Sequence, residues 1–215
     1  MLPHRAFSPP YLKIFLLLIS VLLMLGAVGW IAENVYSRER FVFERPLMMW
    51  VHHHVGGWFE PVAVLLHYLG KPSTAVPLVA VTAVFLYARR YRGYAVFLVL
   101  GTLLPTLVMS AAKAFFDRPR PELWPRIVEQ GGESFPSGHS TFSAAVALLL
   151  WLMLRYTRYG TPAAVFGLVF MLLMGFSRVW LGVHYPTDVL VGWINGGLIV
   201  TALYWLLFRK RMKAV

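Results

Sequence analysis

The chain is 215 residues long, 59% of them hydrophobic and only 13% charged, with a mean hydropathy of +0.65; this balance excludes an ordinary soluble domain and requires a membrane. Its net charge of +11 is carried by short basic flanks beside apolar runs and not by one continuous groove, which excludes nucleic acid as a partner. The absence of cysteine excludes disulfides and thiol chemistry.

A bilayer core of about 30 Å needs about 20 apolar residues per helix, and six runs are candidates. The first, Tyr11 to Ala32, is uncharged after Lys13. Its apolar core is long and no small-x-small cleavage site follows it, so it is expected as a retained helix and not a signal peptide. Residues Glu33 to Lys71 mix charge with Trp50, Trp58 and Phe59 and are broken at Gly56-Gly57, Pro61 and Gly70-Lys71-Pro72. They are predicted as short interfacial helices on the outer leaflet. The triplet His52-His53-His54 falls here, but adjacent residues do not share a helix face and no acid sits at ligand spacing. No metal is assigned to it.

The second transmembrane helix is predicted over Pro72 to Ala88 and the third over Tyr94 to Ala112, with a kink at Pro105. The fourth covers Ser140 to Arg155, the fifth Pro162 to Phe176 and the sixth Thr187 to Phe208; several are short, which implies a thin or tilted bundle. Gly192, Gly196 and Gly197 in the last helix permit close packing, and Asn195 beside them suits an interhelical hydrogen bond. Trp124, Trp151, Trp180 and Trp193 read as interface or packing residues. No repeat, low-complexity tract or long linker divides the chain, so residues 1–215 are read as one all-α domain: a six-helix transmembrane bundle.

Charge sets the orientation of that bundle. Arg5, Lys13, Arg89, Arg90, Arg92, Arg155, Arg158, Arg209, Lys210, Arg211 and Lys213 all fall on one side, with no acid among them, while all nine acidic residues fall on the other. The positive-inside rule places the first side, and both termini, in the cytoplasm.

Three polar clusters stand apart in this apolar chain: KAFFDRPRP (Lys113 to Pro121), PSGH (Pro136 to His139) and SRVWLGVHYPTD (Ser177 to Asp188). All three lie at helix mouths on the outer side. Together they supply cations at Lys113, Arg120 and Arg178, imidazoles at His139 and His184, and a carboxylate at Asp188. A phosphoryl group in transfer spreads negative charge over its oxygens, so its catalysis is mainly positioning and stabilisation by cations and N–H groups. Arg presents a planar fork to phosphate and Lys a point charge. Ser137 and Gly138 precede an apolar run, so their amides open a helix, where free N–H groups and the dipole favour an anion. Two histidines allow one to attack phosphorus while the other protonates the leaving oxygen and later activates water. His184 is the better nucleophile candidate, because Asp188 lies four residues later and can fix its tautomer if a helix begins near Pro186.

These clusters resemble the signature of the type 2 phosphatidate phosphatase superfamily, which shares its core with vanadium haloperoxidases. Lys113 and Arg120-Pro121 match the first element, Pro136-Ser137-Gly138-His139 the second, and Ser177-Arg178, His184 and Asp188 the third, in order and without departure. The resemblance implies that His184 forms a phosphohistidine, Asp188 orients it and His139 protonates the leaving group. It likewise implies that Lys113, Arg120, Ser137, Gly138 and Arg178 hold the phosphate, and that no metal or other cofactor is required. Within the family the chain is most similar to compact bacterial enzymes acting on undecaprenyl diphosphate and phosphatidylglycerophosphate. The expected substrate is therefore a lipid phosphate or diphosphate on the outer face of an inner membrane. A lipid A phosphatase and a lipid-to-lipid phosphotransferase use the same site and stay open. A transporter is disfavoured, since the predicted helices place almost no polar groups at the bilayer midplane.

Overall fold

The computed structural model describes residues 10–208. Arg5 and the basic tail at 209–213, which enter the charge reading, lie outside the described residues, as does the side chain of Lys13. Among the described residues every regular element is a helix: α1 (Pro10–Tyr36), α2 (Glu44–Val55), a 3₁₀ turn (Gly57–Phe59), α3 (Glu60–Gly70), α4 (Pro72–Ala88), α5 (Arg92–Phe116), α6 (Gly138–Leu154), α7 (Gly160–Trp180) and α8 (Pro186–Phe208). The chain divides into two compact units, one ending at Glu39 and one beginning at Arg40. The first is essentially α1, with Leu22, Leu23 and Trp30 exposed along it.

In the second unit α6 is the central helix, packed most extensively on α7 and α8 and then on α5. Glycine makes the α6–α8 crossing close: a Cβ on Gly192 would lie 2.7 Å from the Ser137 carbonyl oxygen, and one on Gly196 would strike the Thr141 carbonyl. Small residues of this kind let transmembrane backbones approach, where packing and not water exclusion holds helices together. Asn195 donates from Nδ2 to the Pro105 carbonyl at 2.9 Å, joining α8 to α5 at the residue that cannot donate its own backbone N–H.

Helix lengths differ from six full spans in an instructive way. The described part of α1, together with α5, α7 and α8, is long and apolar enough to cross a membrane, and α3 with α4, bent 60° at Lys71, meets the same criterion as a pair. Helix α6 is apolar but only 17 residues long. Its N-terminal approach, Ser134 to Ser137, is buried, and non-helical backbone at membrane depth is tolerated where protein surrounds it. The short helix thus leaves a recess above its N-terminus.

The stretch from Glu33 to Lys71 is less peripheral than the sequence implies. Helix α3 buries Ala63, Leu66 and His67, a spacing of three and four that forms one helical stripe, and packs chiefly on α7. Met48 and Val51 of α2, Phe59 and Ala63 join Val179, Trp180, Leu181 and Val183 in one apolar cluster. A segment mixing charge with aromatics reads as interfacial by composition, but its apolar stripe has α7 to pack against.

Candidate active site

Each cluster is presented by a specific local device. Helix α5 ends at Asp117, whose left-handed backbone (φ 44°) turns the chain sharply away just after Lys113. Ser137 caps α6, its Oγ accepting from the Ser140 N–H at 3.3 Å, which is the bond expected of a serine N-cap. Helix α8 opens with Pro186 at its first position, and Asp188 in that first turn accepts the Tyr185 N–H at 2.8 Å through Oδ2. A carboxylate reaching back to the capping residue's N–H is half of a capping box. Asp188 therefore starts the helix and is fixed by doing so. Gly182 (φ 67°) makes the turn from α7 against the Trp124 ring, setting His184 over α8.

A cavity of about 450 Å³ brings the clusters together. Lys113, Arg120, Gly138, His139 and His184 form its polar end, and Val76 and Val79 of α4 with Leu103 and Met109 of α5 form its apolar wall. Asp188, Arg178 and Ser137 lie behind that surface, all fully buried. Ser137 gives its N–H to the Asp188 carbonyl at 3.0 Å, so it stitches the second cluster to the third.

Hydrogen bonds define the tautomers. Arg120 Nη1 lies 3.1 Å from His184 Nε2; a guanidinium can only donate, so Nε2 is the lone-pair atom and Nδ1 carries the proton. Nδ1 faces Asp188 Oδ2 at 3.4 Å, an ion-pair distance at which no hydrogen bond is formed. His139 Nε2 lies 2.9 Å from the His67 carbonyl and must donate to it. Arg178 donates from Nη1 toward His67 Nδ1 at 3.1 Å and from Nη2 to the Ala63 carbonyl at 3.3 Å. Arg120 is further wrapped by the carbonyls of Gly131, Gly132 and Glu133, each at 2.9 Å, and Lys113 donates to the Glu133 carbonyl. The loop thus holds two cations in place with neutral oxygens, which a charged phosphate can outcompete.

Burial pushes the His184 imidazole down to about 4, with the nearby Arg120 and Lys113 charges adding to the effect and Asp188 opposing it. The ring is therefore neutral, and nucleophilic, at neutral pH. Burial likewise lowers Arg120 to about 10, which leaves it charged under the same conditions.

Three participants carry no signal in the motif spacing. His67 of α3 orders both His139 and Arg178. Arg118 donates to Asp188 Oδ1 at 2.6 Å and to Glu44 Oε2 at 2.7 Å. Glu44, at the start of α2, is buried at 3% exposure. By contrast the rings of the histidine triplet have separate neighbours: His52 stacks on Trp124 at 4.0 Å and His54 on Trp50 at 4.7 Å.

The profile of the PAP2 superfamily matches residues 94–212, which is more than half of the chain and includes all three clusters. The chain belongs to the PAP2 superfamily. Phosphatidylglycerophosphatase B of Bacillus subtilis is 28% identical over 200 residues, covering 90% of this chain and 91% of the relative. An undecaprenyl-diphosphatase of Sulfolobus acidocaldarius is 30% identical over 149 residues, covering 63% of this chain and 66% of the relative. The fold is that of the transmembrane PAP2 type phosphatidylglycerolphosphate phosphatase from B. subtilis, whose crystal structure matches with a TM-score of 0.74 at 23% identity, over 87% of this chain and 94% of that one. The all-helical membrane architecture and the phosphatase class thus hold for this PAP2 chain.

Proposed function

We propose that this PAP2 phosphatase, acting as a single domain, hydrolyses a membrane lipid phosphate or diphosphate through a phosphohistidine at His184. The substrate belongs to the undecaprenyl diphosphate or phosphatidylglycerophosphate class. The observation that carries this reading is the two-sided cavity: cations and imidazoles at one end and an apolar wall from α4 and α5 at the other. A lipid can keep its chain among apolar side chains while its phosphate reaches the basic end.

The chemistry follows from the tautomers. Phosphate oxygens draw Arg120, Lys113 and Arg178 from their carbonyl and imidazole partners, freeing His184 Nε2 to attack phosphorus. As the N–P bond forms and the P–O bond to the lipid breaks, positive charge on the ring is balanced by Asp188 at Nδ1. His139 protonates the departing oxygen. Because its Nε2–H is held by the His67 carbonyl, the proton it gives must first reach Nδ1, which takes it from the acid form of the arriving phosphate and hands the one later taken from water back to the released phosphate. His139 then removes a proton from water as that water attacks the phosphohistidine, and phosphate leaves. Arginines and lysine supply the charge stabilisation directly, so neither metal nor other cofactor is invoked.

The test is phosphate release by detergent-purified protein from undecaprenyl diphosphate, phosphatidylglycerophosphate and a lipid A phosphate in parallel, each with and without EDTA. Release from one of the first two, unchanged by EDTA, is the expected result. Preference for the lipid A phosphate would reassign the substrate, and phosphate passed to a second lipid in place of water would make the chain a transferase. An EDTA loss restored by a divalent ion would reopen the metal question at His52 to His54.

Six crossings, with both termini in the cytoplasm and the cavity facing the exterior of a cell inner membrane, complete the proposal. Support comes from the eleven basic residues on one side of the chain. A reporter fused after Val215 is expected to be active only as a cytoplasmic fusion, and a periplasmic signal would invert the site.

A further inference from the structure

Behind the candidate nucleophile, Arg118, Thr187 and Glu44 form a closed ring that Asp188 joins through Arg118. Arg118 donates from Nη1 to both Asp188 Oδ1 (2.6 Å) and Thr187 Oγ1 (2.9 Å), and from Nη2 to Glu44 Oε2 (2.7 Å). Thr187 Oγ1, having accepted from Arg118, spends its own hydrogen on Glu44 Oε1 at 2.5 Å, and the Thr187 N–H points to the same oxygen at 3.4 Å. Every hydrogen bond of the Glu44 carboxylate is thus an accepted one, which is the pattern of an ionised carboxylate. Glu44 comes from α2, far in sequence from the motifs and not reached by the family match at residues 94–212.

The ring solves an electrostatic problem. Asp188 must lend negative charge to an imidazole that becomes cationic as phosphorus is attacked, yet Arg118 sits on its other oxygen and would cancel that charge. Glu44 returns it, because Glu44, Arg118 and Asp188 together carry one net negative charge. We infer that Glu44 is a positioning residue for the reaction, holding Arg118 by an ion pair so that Asp188 faces His184 with its charge intact. The inference rests on the assignment of His184 as nucleophile. Other charged and titratable groups that bear on His184 are Arg120 of the loop, Lys113 of α5 and His139 of α6, while Arg178 of α7 is turned to His67. Both cations, Arg120 and Lys113, favour the neutral ring, so Asp188, backed by Arg118 and Glu44, is what opposes them. Tyr185 lies over the Arg118 guanidinium, its ring 4.0 Å away, and adds no charge there.

The experiment traps the phosphoenzyme by rapid quench from labelled phosphatidylglycerophosphate in detergent, across pH, for four proteins: wild type, Glu44→Gln, Glu44→Asp, and the double variant Glu44→Gln with Arg118→Gln. Glu44→Gln removes a charge with almost no change of shape. It is expected to slow phosphoenzyme formation about tenfold with KM little changed, and to move the acid limb of the profile about one unit lower, since a less stabilised imidazolium loses its proton more readily. Glu44→Asp should restore the profile. The double variant restores one net negative charge at Asp188 and should bring the acid limb back toward wild type. A merely structural Glu44 predicts the reverse, with an unmoved limb in Glu44→Gln and a double variant worse than the single. That result, or a wild-type rate in Glu44→Gln, would overturn the inference while leaving the nucleophile in place. Failure to trap any phosphohistidine from wild type would instead overturn the mechanism on which it rests, and the inference with it.

Discussion

His184→Ala is expected to remove turnover, by about 10⁴-fold or more, without unfolding the protein, whereas His139→Ala is expected to leave an enzyme that can still be phosphorylated. The first expectation follows from what the ring touches. Arg120 loses one partner at Nε2 but keeps the Val183 carbonyl at 2.7 Å on the same nitrogen, and Asp188 keeps Arg118 and the Tyr185 N–H. No buried charge is stranded, so the fold tolerates the change. His139 differs because its task depends on the leaving group. With p-nitrophenyl phosphate, whose leaving oxygen needs no proton, the His139 variant should form phosphoenzyme and then accumulate it, because water is no longer activated. Phosphohistidine trapped in His184→Ala would sink the nucleophile assignment; equal losses at both steps in His139→Ala would sink the division of labour.

His184 also predicts how stability changes with pH. Its folded value of about 4 lies below the ordinary 6.5, so between those values the unfolded chain binds a proton that the folded chain refuses. The contribution is fully present above about 6.5 and is lost as pH falls through 4. On the proposed mechanism, burial beside Arg120 and Lys113 serves catalysis and acid sensitivity by the same means: it keeps the ring neutral. In His184→Ala the pH slope of unfolding over this window should flatten, which unfolding temperatures at a series of pH values will read.

Much of this was legible in the sequence because phosphate chemistry restricts residue types. Lys113, Arg120, His139 and His184 cannot be exchanged for look-alikes without losing charge, donor geometry or basicity, so their spacing is a readable pattern. Apolar runs marked α4 to α8 to within a few residues, since lipid exposure imposes a length and a composition. Asp188 could be placed opposite His184 once Pro186 was taken as a helix start. Glu44, His67 and Arg118 were not legible. Glu44 lies where no periodicity or motif announces burial, His67 shares the stripe of α3 but belongs to no motif, and their partners are more than 70 positions away. Arg118 stood inside the first cluster but between two motif positions, where nothing in the sequence assigned it a role. Such residues are chosen by tertiary contact: a buried acid is tolerated only where a cation meets it, and that meeting is visible only in three dimensions.

Gly192→Ala should be among the most damaging small substitutions in the bundle, and Gly197→Ala nearly silent. At Gly192 a methyl group would stand 2.7 Å from the Ser137 carbonyl oxygen, 2.9 Å from Ser140 Cβ and 3.1 Å from the Thr141 amide nitrogen, whereas at Gly197 it meets nothing within 4 Å. The contacts at Gly192 include backbone on the first turn of α6, so no rotamer change relieves them and the helices must separate. Overpacking of this kind costs about 1–3 kcal/mol. The larger consequence is catalytic. Ser137 is tied to the Asp188 carbonyl and caps the helix whose N-terminus carries Gly138 and His139. Pushing α6 from α8 therefore moves the amide and His139, the proposed acid and base, away from His184 and Asp188 together. A displacement near 1 Å in such a site costs on the order of 10²-fold, so Gly192→Ala is expected to lose about that much kcat while its unfolding temperature in detergent falls only modestly. Equal behaviour of the two glycine variants would mean that the α6–α8 crossing is looser than these distances require, and that the recess above α6 is not held by helix contact.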